Sequence, residues 1–260
     1  MNWALIAGGS RGIGLSIAKA LARRNYNLLL VARSEEILLN VKKELENQFQ
    51  VQIEIFSCDL SVSGSAKLVL GYCAGKGMAI NILCNNVGMG GVKDFPDLST
   101  DDLSNMIRLN IESAIVLSSL FIPSLKKTAP SYILNVSSLA GFSPIPIKSV
   151  YSSSKSALIS FSYSLKYILK TYHISVSCLC PGPVFTKISI KEETIKQMGW
   201  VGRRLLVKSD EVGEYAVRQM LHHKMIIVPG KLATIFSYIL KVLPQQLVAR
   251  IIYNKHTKRN

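Results

Sequence analysis

The sequence predicts one α/β domain, doubly wound around a mostly parallel seven-stranded sheet. Three observations carry the prediction. Seven short Val/Ile/Leu-rich runs recur along the 260 residues, longer amphipathic stretches lie between them, and a glycine-rich turn follows the first run at once. The runs are apolar at successive rather than alternate positions, which is how strands read when helices cover both faces of a parallel sheet.

Taken in order, Ala4–Ala7 reads as the first strand, and the glycines from Gly8 to Gly14 turn the chain into a helix over Gly14–Arg24. Asn27–Ala32, with Leu28, Leu29 and Leu30 in succession, reads as the second strand, followed by a helix over Ser34–Gln48. Gln52–Ser57 and Ile80–Cys84 give the third and fourth strands, and Asp101–Leu120 one long helix. Ser131–Val136, Ile174–Cys180 and Lys224–Val228 complete the sheet. In the tail, Leu232, Ile235, Phe236, Ile239, Leu240 and Leu243 mark one face of a helix that Pro244 ends, and Leu247, Val248, Ile251 and Ile252 mark a second. No Ser/Gly-rich linker or repeat divides the chain, so residues 1–260 read as a single domain.

Composition narrows the function classes. With 48% apolar and 18% charged residues the chain can bury a sizeable core and is not disordered. A net charge of +15 opens nucleic acid, anionic membranes and acidic ligands as partners. Nucleic acid is excluded by the spread of that charge and by the lack of any zinc-finger, RNP-like or helix-turn-helix pattern. Cys58, Cys73, Cys84, Cys178 and Cys180 have no C-x-x-C spacing, and the four histidines have no metal-ligand spacing, so free buried thiols and no metal are expected. The start lacks the basic and apolar regions of a secretory signal, and no run of about 18 apolar residues offers a membrane span, which predicts a cytoplasmic protein.

The chemistry begins at Ala7-Gly8-Gly9-Ser10-Arg11-Gly12-Ile13-Gly14, where glycines let a pyrophosphate approach the start of a helix in the Rossmann manner. The spacing resembles the T-G-x-x-x-G-x-G turn of the short-chain dehydrogenase/reductase family, with Ala7 in place of Thr. Further motifs follow in family order. Asp59-Leu60 looks like the adenine-contacting pair, Asn85-Asn86-Val87-Gly88 resembles N-N-A-G with Val87 for Ala, and Asn110 matches the family's asparagine. Ser137-Ser138, Tyr151-x-x-x-Lys155 and Pro181-Gly182 match its serine, its Y-x-x-x-K and its P-G turn. The resemblance implies a catalytic set of Asn110, Ser138, Tyr151 and Lys155. It implies cofactor contacts from Gly8, Ser10, Arg11, Gly12, Ile13, Gly14, Arg33, Asp59, Leu60, Asn86, Val87, Gly88, Tyr151, Lys155, Pro181, Gly182, Val184 and Thr186. It also implies that Lys155 holds the nicotinamide ribose, that Asn110 keeps a water linking Lys155 to solvent, and that the protein is a homodimer or homotetramer.

The residues support that reading on physical grounds. Tyr151 and Lys155 are four apart and share a helix face, and an ammonium beside a phenol is expected to lower the phenol's pKa from about 10. Ser138 follows an apolar strand at the sheet's carboxyl edge, where its hydroxyl can hold a carbonyl oxygen while Tyr151 protonates it. The acid expected about 20 residues beyond the glycines to hold a free ribose hydroxyl is absent, since the strand ends Val31-Ala32-Arg33. Arg11 and Arg33 can instead clamp a 2′-phosphate, which points to NADP(H).

Substrate is harder to read. Residues 187–207 correspond by resemblance to a mobile lid over substrate, and their Ile188, Ile190, Met198 and Trp200 fit either an apolar substrate or core packing. From Tyr215 onward there is no Asp or Glu against eight Lys and Arg. The extension 231–260 therefore reads either as a monotopic anchor on the cytosolic face of a membrane or as helices packed on the body or on a partner subunit. The expected activity is interconversion of a ketone and a secondary alcohol, with an apolar or lipid-like carbonyl substrate. The rival readings are a non-catalytic NADP(H)-binding sensor or scaffold and a membrane-surface protein with a vestigial domain.

Overall fold

The computed structural model describes residues 2–90, 95–185 and 207–257. Strands β1 (Trp3–Ala7), β2 (Asn27–Ala32), β3 (Ile53–Ser57), β4 (Ile80–Asn85), β5 (Ser131–Val136) and β6 (Ile174–Leu179) join a short β9 (Ile226–Ile227) in one sheet of order β3-β2-β1-β4-β5-β6-β9. Every pair in it is parallel. β7 (Val184–Phe185) and β8 (Val207–Lys208) pair separately. The strand order reverses between β1 and β4, which opens a crevice at the carboxyl ends of those strands.

The helices are α1 (Gly12–Ala22), α2 (Glu35–Gln48), α3 (Ser65–Gly75), α4 (Thr100–Ile107), α5 (Ser113–Lys127), α6 (Ser149–Leu169), α7 (Ser209–Leu221), α8 (Lys231–Val242) and α9 (Gln245–Thr257). Strand periodicity distributes them into two layers. Leu28 and Leu30 pack with Ile17, Leu38 and Val217 of α1, α2 and α7, whereas Leu29 and Val31 pack with Val69, Phe121 and Leu165 of α3, α5 and α6. Each such buried side chain contributes about 1.5–3 kcal/mol, so continuous apolar strands are what a sheet covered on both faces requires. A third cluster, including Phe142, Cys178, Cys180, Ala233, Leu240 and Val248, seats the C-terminal helices against the β6 edge.

Three sequence expectations need correction. The long helix expected over Asp101–Leu120 is interrupted, because one π-helical turn (Arg108–Glu112) separates α4 from α5. Its widened turn coincides with Asn110, whose side chain is tied to neighbouring segments, and hydrophobic periodicity does not register such an insertion. The seventh strand keeps only Ile226 and Ile227, since these alone find partners on β6, namely Cys178 and Leu179. The helical run Thr100–Lys127 is also long and apolar enough to cross a membrane, contrary to the expectation that no stretch qualifies. Its Ala114, Leu117, Phe121 and Leu125 are spent on the core beneath the sheet.

Candidate active site

The glycine turn is fixed by contact and by backbone angle. Gly8 lies at φ +84° and Gly12 at φ +55°, both in the region that favours glycine. A Cβ on Gly14 would fall 1.9 Å from the Gly8 carbonyl oxygen. That carbonyl accepts a hydrogen bond from Asn86 Nδ2 at 3.0 Å, which closes the turn against the loop after β4. No side chain larger than hydrogen fits between these segments, so the start of α1 can approach a phosphate.

Two cavities open along the crevice. The first, about 290 Å³, is lined by Gly8, Ser10, Arg11, Arg33, Asp59, Leu60, Asn86, Val87 and Gly88. The second, about 660 Å³, is lined among others by Ile13, Asn86, Gly88, Ser138, Tyr151, Lys155, Pro181, Gly182 and Val184. Asn86 and Gly88 wall both, so the two cavities form one groove that bends at the loop after β4. Its shape and chemistry fit a dinucleotide: an adenosine half beside Asp59 and Leu60, two exposed arginines, and a second half that reaches Tyr151. Glu35 and Glu36 fall in the first turn of α2, and Ser34 caps that helix by accepting from Ile37 N–H, so no carboxylate replaces Arg33 at the strand end. Burial alone would raise the Asp59 carboxyl, but hydrogen bonds from Ser61 and the charge of Arg33 hold it below its ordinary value.

The four expected catalytic side chains converge from three elements. Ser138 follows β5 in extended conformation and caps a short 3-10 turn, accepting from Ala140 N–H at 3.1 Å. Tyr151 and Lys155 stand in the first turns of α6 and line the larger cavity together, with Lys155 Nζ 5.9 Å from the Tyr151 ring centroid. Lys155 is 4% exposed and donates from Nζ to the Val136 carbonyl at 3.0 Å. Asn110 is buried behind the site. Its Oδ1 accepts from Met89 N–H at 2.8 Å, and its Nδ2 donates to Met89 O and Ser154 Oγ, both at 3.0 Å. Gly88 makes room for this convergence, since a Cβ there would lie 3.1 Å from Lys155 Nζ and 3.2 Å from Asn110 Oδ1.

The electrostatics differ from the expectation in one respect. Burial raises the Tyr151 phenol, a hydrogen bond with Ser138 opposes the rise, and the net shift is upward rather than downward. Burial likewise lowers the Lys155 ammonium to about 8, against the pull of the nearby Cys178 and Cys180. Desolvation therefore outweighs the helix-face proximity of the two groups.

Some features were not read from sequence. Phe236 and Leu240 of α8 and Ile252 of α9 wall the larger cavity, so the inner face of the C-terminal hairpin borders the site. The i, i+4 spacing of Phe236 and Leu240 was the available signal. Lys148 also lines that cavity, one turn before Tyr151. Gly141 packs the Ser138 turn onto α6, where an added Cβ would meet Lys155 backbone at 2.8 Å. Thr186 and residues 187–206 of the expected lid lie outside the described residues. All five cysteines are free, and among the described residues no group of His, Cys, Asp or Glu could hold a metal ion.

Comparison with known proteins agrees with this geometry. The profile of the short chain dehydrogenase family matches residues 2–196. The chain is 35% identical over 202 residues to a very-long-chain 3-oxoacyl-CoA reductase-A of Danio rerio, covering 75% of this chain but 62% of that relative's length. In fold it is similar to a short-chain dehydrogenase from Sphingobium yanoikuyae in complex with NADPH, with TM-score 0.80, 23% identity, and 94% and 97% of the two chains covered. It is also similar to an alcohol dehydrogenase from the archaeon Thermococcus sibiricus complexed with 5-hydroxy-NADP, with TM-score 0.75, 27% identity, and 88% and 95% covered. The chain belongs to the short-chain dehydrogenase family.

Proposed function

We propose that the protein is an NADPH-dependent ketoreductase of a lipid-like 3-oxoacyl substrate. The observation that carries this reading is the continuity of the two cavities: an arginine-lined groove continues past Asn86 and Gly88 into a mostly apolar chamber that Ser138, Tyr151 and Lys155 line together. Arg11 and Arg33 would hold the 2′-phosphate, Gly8 to Gly14 the pyrophosphate, and Lys155 the ribose of the nicotinamide, which when bound supplies the hydride.

The chain's own groups do the rest. The Ala140 backbone N–H donates to Ser138 Oγ, which fixes the serine oxygen and leaves its hydroxyl proton to orient the substrate oxygen. Tyr151, raised by burial, is a neutral phenol at pH 7 and can donate the proton that the new alkoxide needs. As that proton leaves, the phenolate gains from the nearby Lys155 ammonium. Asn110 pins Met89 and α6 through Ser154 and so positions the lysine's surroundings. Phe236, Leu240 and Ile252 supply an apolar wall suited to an acyl chain, which is where the substrate class rests. An intact serine, tyrosine and lysine oppose a purely non-catalytic sensor.

We place the subunit contact of a homodimer or homotetramer on α4 to α6, where Ile107, Ile115, Tyr167 and Ile168 are exposed. The five free thiols suit a cytoplasmic location. Calorimetric titration with NADPH and NADH, followed by NADPH consumption with 3-oxoacyl thioesters, tests the reading. Tight NADPH binding with turnover is expected, and failure to bind either nucleotide overturns it.

A further inference from the structure

The hairpin of α8 and α9 is apolar on two opposite sides. The helices meet at 117° across Leu243 and Pro244. Their inner side packs Ala233, Leu240 and Val248 into the body and presents Phe236, Leu240 and Ile252 to the cavity. The outer side keeps Leu232, Ile235, Ile239 and Val242 in one stripe of α8, exposed by 52%, 57%, 47% and 84%, and Leu247 and Ile251 of α9 are exposed as well. A helix apolar on both sides needs a second apolar environment, because an outer stripe left in water gives up the free energy of its burial.

Charge indicates which environment. From Tyr215 to the end the chain has eight Lys and Arg and no Asp or Glu. Lys231, Lys241 and Arg250 sit on the hairpin itself, and the Lys241 ammonium lies between the ring of Phe142 in the body, 4.6 Å away, and that of exposed Tyr238, 5.4 Å away. A second copy seated on this face would bring two acid-free cationic surfaces together. An anionic lipid bilayer offers the opposite charge and an apolar interior at once.

We propose that the outer face of the α8–α9 hairpin docks on an anionic bilayer and that the substrate reaches the cavity from the bilayer past the hairpin's inner wall. The docking stands on the surface alone, and the route rests on the reading of the substrate as lipid-like. The test is co-sedimentation of the full chain with vesicles of phosphatidylcholine and of phosphatidylcholine mixed with phosphatidylglycerol. It compares the wild type, Ile235→Asp/Val242→Asp and Lys231→Glu/Arg250→Glu, with NADPH affinity and light scattering measured on the same samples.

The wild type is expected to bind the anionic vesicles at least about tenfold more tightly than the neutral ones, and the Asp pair to lose about a hundredfold. The Glu pair is expected to remove the preference for anionic lipid, while neither variant changes NADPH affinity. Equal pelleting of the wild type and the Asp pair would overturn the proposal. So would a dimer that ignores vesicles and dissociates in the Asp pair, since the stripe would then be a subunit contact. Because no substrate is used, an error in the reading of the substrate would leave the docking result standing.

Discussion

The two halves of the groove solve different problems with different materials. The smaller cavity is built at strand ends from glycines, short polar side chains and a few apolar ones such as Leu60 and Val87, with two exposed arginines among its lining. The larger one is lined by the segments after β4, β5 and β6 and by the first turns of α6, with part of its apolar wall supplied by Phe236, Leu240 and Ile252 of the C-terminal hairpin. The first can accept a cofactor common to many enzymes, while the second can be re-lined without disturbing it. On the proposed function, α8 and α9 would shape the substrate end of the groove, while the loops after β1, β4 and β5 together with the first turns of α6 would serve the hydride chemistry.

Substitutions can break that division at its junction or sharpen it on either side. The largest effect is expected from Tyr151→Phe, which keeps the ring and removes the proton donor: kcat should fall about a thousandfold with NADPH affinity retained, as steady-state and binding measurements together would show. Lys155→Met should abolish turnover yet stabilise the fold at pH 7 by up to about 3 kcal/mol in chemical denaturation, because a pKa lowered from 10.5 to about 8 reports the burial cost of the ammonium. The sign fixes the pH window. Below pH 8 both folded and unfolded lysines are charged and the full cost is present. Between pH 8 and 10.5 the folded state gives up the proton first, so the difference between the wild type and the variant should close as pH rises.

Arg11→Ala with Arg33→Ala should weaken NADPH binding about tenfold to a hundredfold and leave NADH nearly unchanged, as calorimetry would show. Equal losses for both nucleotides would refute the phosphate clamp. The smallest effect is expected from Phe236→Ala, on the apolar side alone. It should raise KM about tenfold for a long-chain ketone and leave a short one unaffected, provided the hairpin wall contacts the chain rather than the keto group.

The same division explains what the sequence made legible. Gly8, Gly12, Gly14 and Gly88 are constrained by backbone angle or by contact under 4 Å, so residue type and spacing alone declare them. Tyr151 and Lys155 share one helix and are found by counting. The π-helical turn at Asn110 is invisible to a period of 3.6, because it shifts the helix without changing which residues are apolar. Phe236, Leu240 and Ile252 read from the sequence as apolar helix faces, but periodicity tells that a face is buried and not against what. The upward shift of Tyr151 is illegible in the sequence for a related reason: spacing along a helix places Lys155 near the phenol, and only three-dimensional burial shows that desolvation is stronger.

On the proposed function, hydride passes to a keto carbon in the larger cavity while Tyr151 supplies the proton. The most direct test incubates the protein with NADPH carrying deuterium on the transferable position of the nicotinamide, together with a long-chain 3-oxoacyl thioester, and analyses the product by mass spectrometry. A 3-hydroxyacyl product bearing one deuterium on C3, formed by the wild type and all but lost in Tyr151→Phe, is the expected result. Product without deuterium, or equal labelling by the Tyr151→Phe protein, would contradict the account.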